Sequence, residues 1–533
     1  MPAPFPLLRN LAGLRGQRFD LLVVGGGIYG AWTAYDAALR GLSVALVERS
    51  DWAAGTSSAS SKLIHGGLRY LEHFEFGLVR HALAERRTLS DIAPHLVRPL
   101  DFVVPVWSGA RVSRLQLLAG LALYDLMASG RQPVARFRSL SRAACLTHYP
   151  ELRAAGLRGG FRYGDCQEDD ARMTLFVVAA AQGAGAVCAN RLEVAAVPEL
   201  PGEVQLRDTE TGAPLALHAQ CVVDACGPWA GRLAGAAAPP VKRVRGVHLV
   251  LPPILREGRR GHEAFLLTAP QDGRVFFVIP WYGRSLLGTT EAAVDAPEAG
   301  AVTAAERRYL LEAARAWLPG PGWTDADVIG QFAGTRALQD ERAANLSAVT
   351  REFTLAEPRP RLLCALGGKF TTARCDAAGV VDRVLAALGR PPQRAATHRR
   401  ALPGAPVATA GPCGFERWHA QSRQALERLG VDTEAACWLG LRHGTRIACV
   451  QDLLRENPAW SARLHPEAPF LVAEAVLAIR EEMARSSDDV LRRRMPLDLL
   501  VRQAAPQHAQ VESLLAGAAG RRTGPGCGPN LQS

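Results

Sequence analysis

An α/β architecture with a helical C-terminal domain is expected of this 533-residue chain, and three observations carry the expectation. Residues 19–48 read as strand, glycine turn, helix and strand. Residues 274–280 (RVFFVIP) and 285–290 (SLLGTT) mix polar and apolar positions in the manner of antiparallel strands forming a second layer. Beyond His398, Leu402-Pro403-Gly404 and Gly411-Pro412 mark a linker into a helix-rich remainder, with helices at 415–429, 469–482 and 507–519. The chain is too long for one simple core, so two or three domains are expected.

Taken in order, the N-terminal MPAPFPLLRNLAGLRGQR has neither the charge-then-apolar order of a signal peptide nor a small-residue cleavage site, and reads as a flexible arm over 1–17. Leu21-Leu22-Val23-Val24 is a continuous apolar run suited to a parallel strand buried on both faces. It runs into Gly25, Gly27 and Gly30 in G-x-G-x-x-G spacing. Residues 28–39 are alanine-rich, lack proline and stop before Gly41, which predicts a helix, and 43–47 form a second strand. Gly25 permits the tight turn, Gly27 lets backbone approach a pyrophosphate, and Gly30 lets helix pack on strand, while the helix N-terminus offers free N–H groups to an anion. Glu48 ends the second strand where a carboxylate accepts hydrogen bonds from a ribose diol. A dinucleotide, FAD or NAD, is the implied ligand, and the motif by itself does not separate the two.

Residues 51–70 follow. Small hydroxyl residues ahead of two glycines make a poor core element and a good loop for lying against a flat polar ligand. Thr56, Ser57, Ser61, Lys62, His65, Gly66 and Gly67 are therefore expected at the cofactor. Residues 74–93 read as helix and 101–107 as strand. Residues 115–128 (LQLLAGLALYDLMA) are strongly apolar and flanked by Arg111, Arg114 and Arg131. Too short to span a bilayer, they predict a buried helix by default, with an interfacial membrane helix or a hydrophobic partner surface as alternatives. The basic flanks suit anionic headgroups. Residues 221–229 form an apolar strand ending in Gly227-Pro228, and 362–372 repeat strand, glycine turn and helix start.

Hydrophobic content of 48% with 21% charged residues belongs to a globular protein, and no window holds the ~20 uncharged apolar residues that cross a bilayer. Eleven cysteines, an odd number without C-x-x-C or Cys/His ligand spacing, read as free thiols in a reducing compartment; no disulfide framework and no metal is expected. The net charge of +11 suits anionic partners, yet an arginine-rich composition explains it equally well. Nucleic acid is not expected as a partner, because such a surface interleaves basic residues with stacking aromatics, and aromatics are only 6% here.

GGGIYG with Glu48, TSSASSKLIHGGLRYLEHFEFGLVRHALAER, the GPW turn, VFFVIPW, LLGTTE, FAGTRAL and GGKFTT together closely resemble the FAD-dependent glycerol-3-phosphate dehydrogenase family. The likeness is dense over about 18–395 and loose over the helical domain, and Asp224 and Cys226 depart from the residues usual before the GPW turn. It implies a glutathione-reductase-type FAD domain (about 18–95, 160–235 and 328–395) interleaved with an antiparallel-sheet substrate domain (about 96–159 and 236–327). A helical domain at 398–520 and flexible ends at 1–17 and 521–533 complete the chain. The resemblance further implies oxidation of sn-glycerol 3-phosphate to dihydroxyacetone phosphate and electron delivery to a quinone. The protein would then be cytoplasmic and peripheral on the inner face of an anionic membrane. A homodimer stays open, as does oxygen as acceptor, and a basic RNA-binding flavoprotein is the rival reading from another class.

Oxidising a secondary alcohol needs a base, a hydride acceptor and a clamp for the remainder of the molecule. Flavin N5 is the acceptor, and arginine's planar fork suits a phosphate dianion. Matching the family motifs assigns substrate contact to Arg69, Tyr70, Thr290, Arg336, Arg351 and Lys369. It assigns further cofactor contact to Val187, Gly227, Gly368, Lys369 and Thr371. His248 is the expected base, since an unperturbed pKa near ~6.5 allows proton uptake at neutral pH. Arg336 is expected to stabilise the developing alkoxide, and His65 to orient the flavin.

Overall fold

The computed structural model describes residues 6–128, 130, 132–256, 259–339, 353–406 and 412–522. At its centre the strand Arg18–Val24 lies in an eight-stranded sheet, where Leu362–Gly367, Pro214–Asp224, Arg18–Val24, Val44–Val47 and Val187–Ala189 run parallel in that order. The apolar run is continuous because both faces of the sheet are covered. Leu21 and Val23 pack with Ala31 and Trp32 of helix Ile28–Leu39, while Leu22 and Val24 pack with Leu217 of the neighbouring strand and with Val204 and Leu206 of strand Gly202–Asp208, which runs antiparallel to that neighbour. Each such side chain contributes roughly 1.5–3 kcal/mol by leaving water.

The second sheet has ten strands. All its pairings are antiparallel among the described residues except one, where Ala264–Thr268 runs parallel to Arg98–Trp107. Gly330–Gln339 pairs along Val241–Leu251, and Leu157–Gln167 along Arg98–Trp107. Both therefore belong to the second sheet, and the boundaries drawn at 160 and 328 fall inside the wrong layer. A strand's alternation is local, but the partner that satisfies its backbone is not.

Two further expectations change. Residues 6–17 are fastened to the body: Leu7 and Leu14 are buried, the Leu7 N–H donates to the Glu481 carbonyl at 2.9 Å, and Arg9 pairs with Asp208 at 2.9 Å. The tail from 523 lies outside the described residues. Helix Arg114–Met127, begun by a Ser113/Gln116 capping box, buries only Leu121 and Tyr124. Leu115 is 75% and Leu126 80% exposed, so the run is not a core helix.

The C-terminal helices, among them Thr433–His443, Ile447–Glu456 and Val472–Glu481, join the rest through buried ion pairs. Arg172 and Arg446 both donate to Glu482, at 2.7 and 2.6 Å, and Arg493 and Arg494 donate to Asp51 at 2.6 and 2.5 Å. Asp51→Asn leaves these two guanidiniums against a neutral amide, and should cost roughly 3–5 kcal/mol, read as a lowered midpoint of urea unfolding. Burial would raise Glu474, but Arg442 and the His443 hydrogen bond outweigh it and hold the carboxyl at about 2. The stability from this depressed group is present above the ordinary carboxylate range and is lost as pH falls toward about 2. Circular dichroism against pH should place loss of the helical domain's signal in that window.

Candidate active site

A cavity of about 510 Å³ extends from the glycine turn to the second sheet. At the turn, Gly25 adopts a φ of +112°, and a Cβ at Gly30 would lie 1.9 Å from the Gly25 carbonyl oxygen, so helix and strand approach as only glycine allows. The helix starts at Gly27 with no side-chain cap. Ser57 Oγ, in the cavity wall, accepts from the Ile28 N–H at 2.9 Å. Glu48 accepts from the Gly26 N–H at 2.7 Å and from the Ser50 N–H at 2.8 Å, so it fixes the turn as well as facing the cavity. Beyond it Arg49 lies over the Trp229 ring at 4.5 Å, giving a flat cationic and aromatic face. An elongated cavity with a side-chain-free turn, an open helix N-terminus and a carboxylate at the second strand's end fits a dinucleotide.

At the other end, Ser61, His65, Arg69, Tyr70, Arg336 and Lys369 share the same cavity. Lys369 Nζ lies 3.5 Å over the Tyr70 ring, and Arg69 reaches the Tyr70 hydroxyl at 3.3 Å. Behind the wall Glu291, 7% exposed at its side chain, lies 3.9 Å from Arg69 and 3.7 Å from Arg336. Burial, reinforced by Lys369, Arg69 and Arg336, pushes His65 down to about 3, so its ring is neutral. The aromatic side of the cavity comes from the second sheet, with Phe102 stacked on Tyr163 at 5.3 Å and edge-on to Phe277 at 6.0 Å.

Of the residues expected at the cofactor, Gly25, Gly27, Glu48, Thr56, Ser57 and Ser61 line the cavity. So do His65, Gly67, Gly227, Gly368, Lys369 and Thr371. Gly30 and Gly66 instead make room for packing, since a Cβ at Gly66 would lie 2.4 Å from the Tyr124 hydroxyl. Lys62 points away: buried, it donates to both oxygens of Asp170 at 2.7 Å and to the Ser58 carbonyl at 2.7 Å. Val187 lies in the edge strand beside Val44–Val47, and the wall at that end is made by Glu193 and Val194 instead. Thr290 Oγ1 accepts from the Val247 N–H at 3.1 Å, and it is Thr289 that faces the cavity. Arg351 lies outside the described residues.

His248 does not line the cavity. Burial first, then Arg336 and Lys62, hold it well below its ordinary pKa, so the premise of a histidine titrating near neutrality does not hold there. Sequence reasoning left Glu291 without a role, although it closes the LLGTTE motif. It also left out Asp165, which lines the cavity while accepting from Arg86 at 2.6 Å and from the Gly66 N–H at 3.2 Å.

The sheets and glycine cradle, taken with the family model that matches them, place the chain among the FAD-dependent oxidoreductases. Residues 20–373 match the family model for FAD dependent oxidoreductases, and 395–520 match the C-terminal domain of alpha-glycerophosphate oxidase. Within that class the chain belongs to the glycerol-3-phosphate dehydrogenase family. It is 36% identical over 496 residues to the glycerol-3-phosphate dehydrogenase of Mycobacterium leprae, covering 91% of this chain and 82% of that relative. It is 34% identical over 499 residues to the Pseudomonas aeruginosa protein, covering 91% and 92%. The solved structure of the Bacillus halodurans glycerol-3-phosphate dehydrogenase complexed with FAD superposes with a TM-score of 0.76 at 27% identity, over 96% of this chain and 92% of that one. The cofactor is FAD, and the residues of the cradle described above are those that would hold it.

Glu48→Ala removes the anchor of the turn together with the carboxylate expected at the ribose. FAD affinity should fall about 10- to 100-fold, measured by titrating the apoprotein and following flavin fluorescence.

Proposed function

We propose that the protein oxidises sn-glycerol 3-phosphate to dihydroxyacetone phosphate and passes the electrons to a quinone at a membrane surface. The observation that supports this most is the convergence of Arg69, Arg336 and Lys369 with a neutral His65 in the cavity that holds the dinucleotide cradle. FAD, when bound, supplies the acceptor for the hydride leaving the carbinol carbon. Arg336 and Lys369 hold the phosphate dianion, the first through a planar fork and the second as a point charge. Glu291 holds Arg69 and Arg336 in place from behind. His65 takes the hydroxyl proton. The same cations that depress its pKa are neutralised by the incoming dianion, so the base strengthens when the phosphorylated substrate arrives. This coupling favours glycerol 3-phosphate over glycerol at the chemical step as well as in binding.

Membrane contact is supported by the outer face of helix Arg114–Met127, where Leu115, Leu118 and Leu126 are exposed. Phe74 and Phe76 are exposed on the adjoining segment, which Arg111 ties to the helix's start through Glu72 at 2.7 Å. No helix among the described residues is long and apolar enough to cross a membrane, so contact would be peripheral. Tyr124, on the inner face, donates to Asp165 in the cavity wall at 2.9 Å, which links lipid-facing helix and flavin site.

Anaerobic addition of glycerol 3-phosphate should bleach the flavin band, and glycerol should not. Quinone reduction without peroxide release would support the membrane acceptor; peroxide as the main product would assign oxygen instead. Arg336→Leu and Lys369→Met should each raise KM about 10- to 100-fold, and Arg336→Leu should also lower kcat, in steady-state assays with a soluble dye. Leu115→Ser with Leu126→Ser should reduce liposome binding and quinone turnover while leaving dye reduction unchanged.

A further inference from the structure

A second histidine behind the cavity wall takes no part in the steps above. His248 is 1% exposed, and its ring stacks on Phe332 with centroids 4.9 Å apart and planes 14° from parallel. The ring is also pressed against Gly288, where a Cβ would lie 2.3 Å from His248 Cδ2. Held this tightly, it presents Nε2 to Ser61 Oγ at 2.9 Å. Nδ1 is buried and has no hydrogen-bond partner among the described residues.

Those contacts decide where the single proton of the neutral ring resides. On Nδ1 it would be a buried N–H with no acceptor, which folded proteins almost never tolerate; a bare ring lone pair is the smaller penalty. The proton therefore belongs on Nε2 and is donated to Ser61 Oγ. With its oxygen accepting from His248, Ser61 keeps its own O–H for the cavity that it lines. The phosphate end already has Arg69, Arg336, Lys369 and the Tyr70 hydroxyl as donors, so the hydroxyl is left for the ring system of the cofactor.

We propose that His248 is a positioning residue which turns the Ser61 hydroxyl into a hydrogen-bond donor to the edge of the isoalloxazine that gains electron density on reduction. The inference rests on the flavin reading of this cavity. A donor aimed at that edge stabilises the reduced ring more than the oxidised one, because a hydrogen bond to the more negative acceptor is stronger. His248 then acts on the flavin's reduction equilibrium through Ser61 and touches neither substrate nor cofactor.

The test uses the FAD-loaded protein and dye-equilibrated reduction in the absence of substrate, with Ser61→Ala, His248→Phe, His248→Gln and the Ser61→Ala/His248→Phe double variant. Phenylalanine keeps a flat ring on Phe332 and removes the donor, and glutamine restores an N–H. Ser61→Ala and His248→Phe should each shift the reduction equilibrium against the reduced flavin by about tenfold, equivalent to about 30 mV for a two-electron couple. The double variant should show no more than either alone, and His248→Gln should recover most of the wild-type potential. The pH profile of kcat should keep its shape in His248→Phe. Unmoved potentials, with only KM raised, would place Ser61 on the substrate and overturn the proposal. So would additive shifts, or loss of one limb of the pH profile, which would make His248 a base after all. Should His248→Phe fail to fold, Ser61→Ala must still lower the potential and His248→Gln must still match the wild type. Because no substrate is present, the outcome is separate from whether glycerol 3-phosphate bleaches the wild-type flavin.

Discussion

Two half-buried guanidiniums, Arg69 and Arg336, lie against Glu291 at 3.9 and 3.7 Å, and the remainder of the site takes its properties from that crowding of charge. Taking a guanidinium out of water is costly unless a carboxylate accompanies it. Glu291 supplies the carboxylate from behind, which leaves the cavity side of the wall positive. Lys369 adds to it over the Tyr70 ring. Both histidines near this charge, His65 and His248, are neutral, through burial first and these cations second. A site with this balance calls for an anion, and a neutral histidine lies beside it.

Arg69 and Arg336 come from distant stretches of the chain. Arg69 follows the loop that leaves the parallel sheet, whereas Arg336 is on Gly330–Gln339, which pairs along Val241–Leu251 in the second sheet. The cavity therefore exists only where the two sheets meet, and interleaving the domains in sequence is what brings the cations together. The loop between them is held at both ends. Asp51, near its start, is clamped by Arg493 and Arg494 of the C-terminal domain. Lys62, toward its end, is locked to Asp170 at 2.7 Å. The helical domain thus supports the cavity from behind, and none of its described residues forms the wall.

Much of this was legible from residues alone, for a physical reason. The turn at Gly25, Gly27 and Gly30 is a local device, whose spacing and flanking apolar runs specify backbone conformation within about thirty residues. Strand Arg18–Val24 and helix Ile28–Leu39 accordingly appear where the pattern places them. The loop from Thr56 to Tyr70, rich in hydroxyls and glycines, likewise faces the cavity at most of its expected positions.

Orientation and partnership were not legible, because they depend on groups far away in sequence. Lys62 and His65 are three residues apart with similar polar character, yet one faces Asp170 and the other the cavity. His248 carries the side chain of a base, but only its surroundings show that it is buried, neutral and one residue removed from the wall. Thr289 and Thr290 differ only in which face of the chain they occupy. The apolar run at 115–128 could not reveal its exposure, since that depends on how much of the helix its neighbours cover. Local conformation and the chemistry of the dinucleotide turn were determined by sequence; which charges share a cavity, and which histidine lines it, was decided by the tertiary structure, because both depend on packing between elements far apart in the chain.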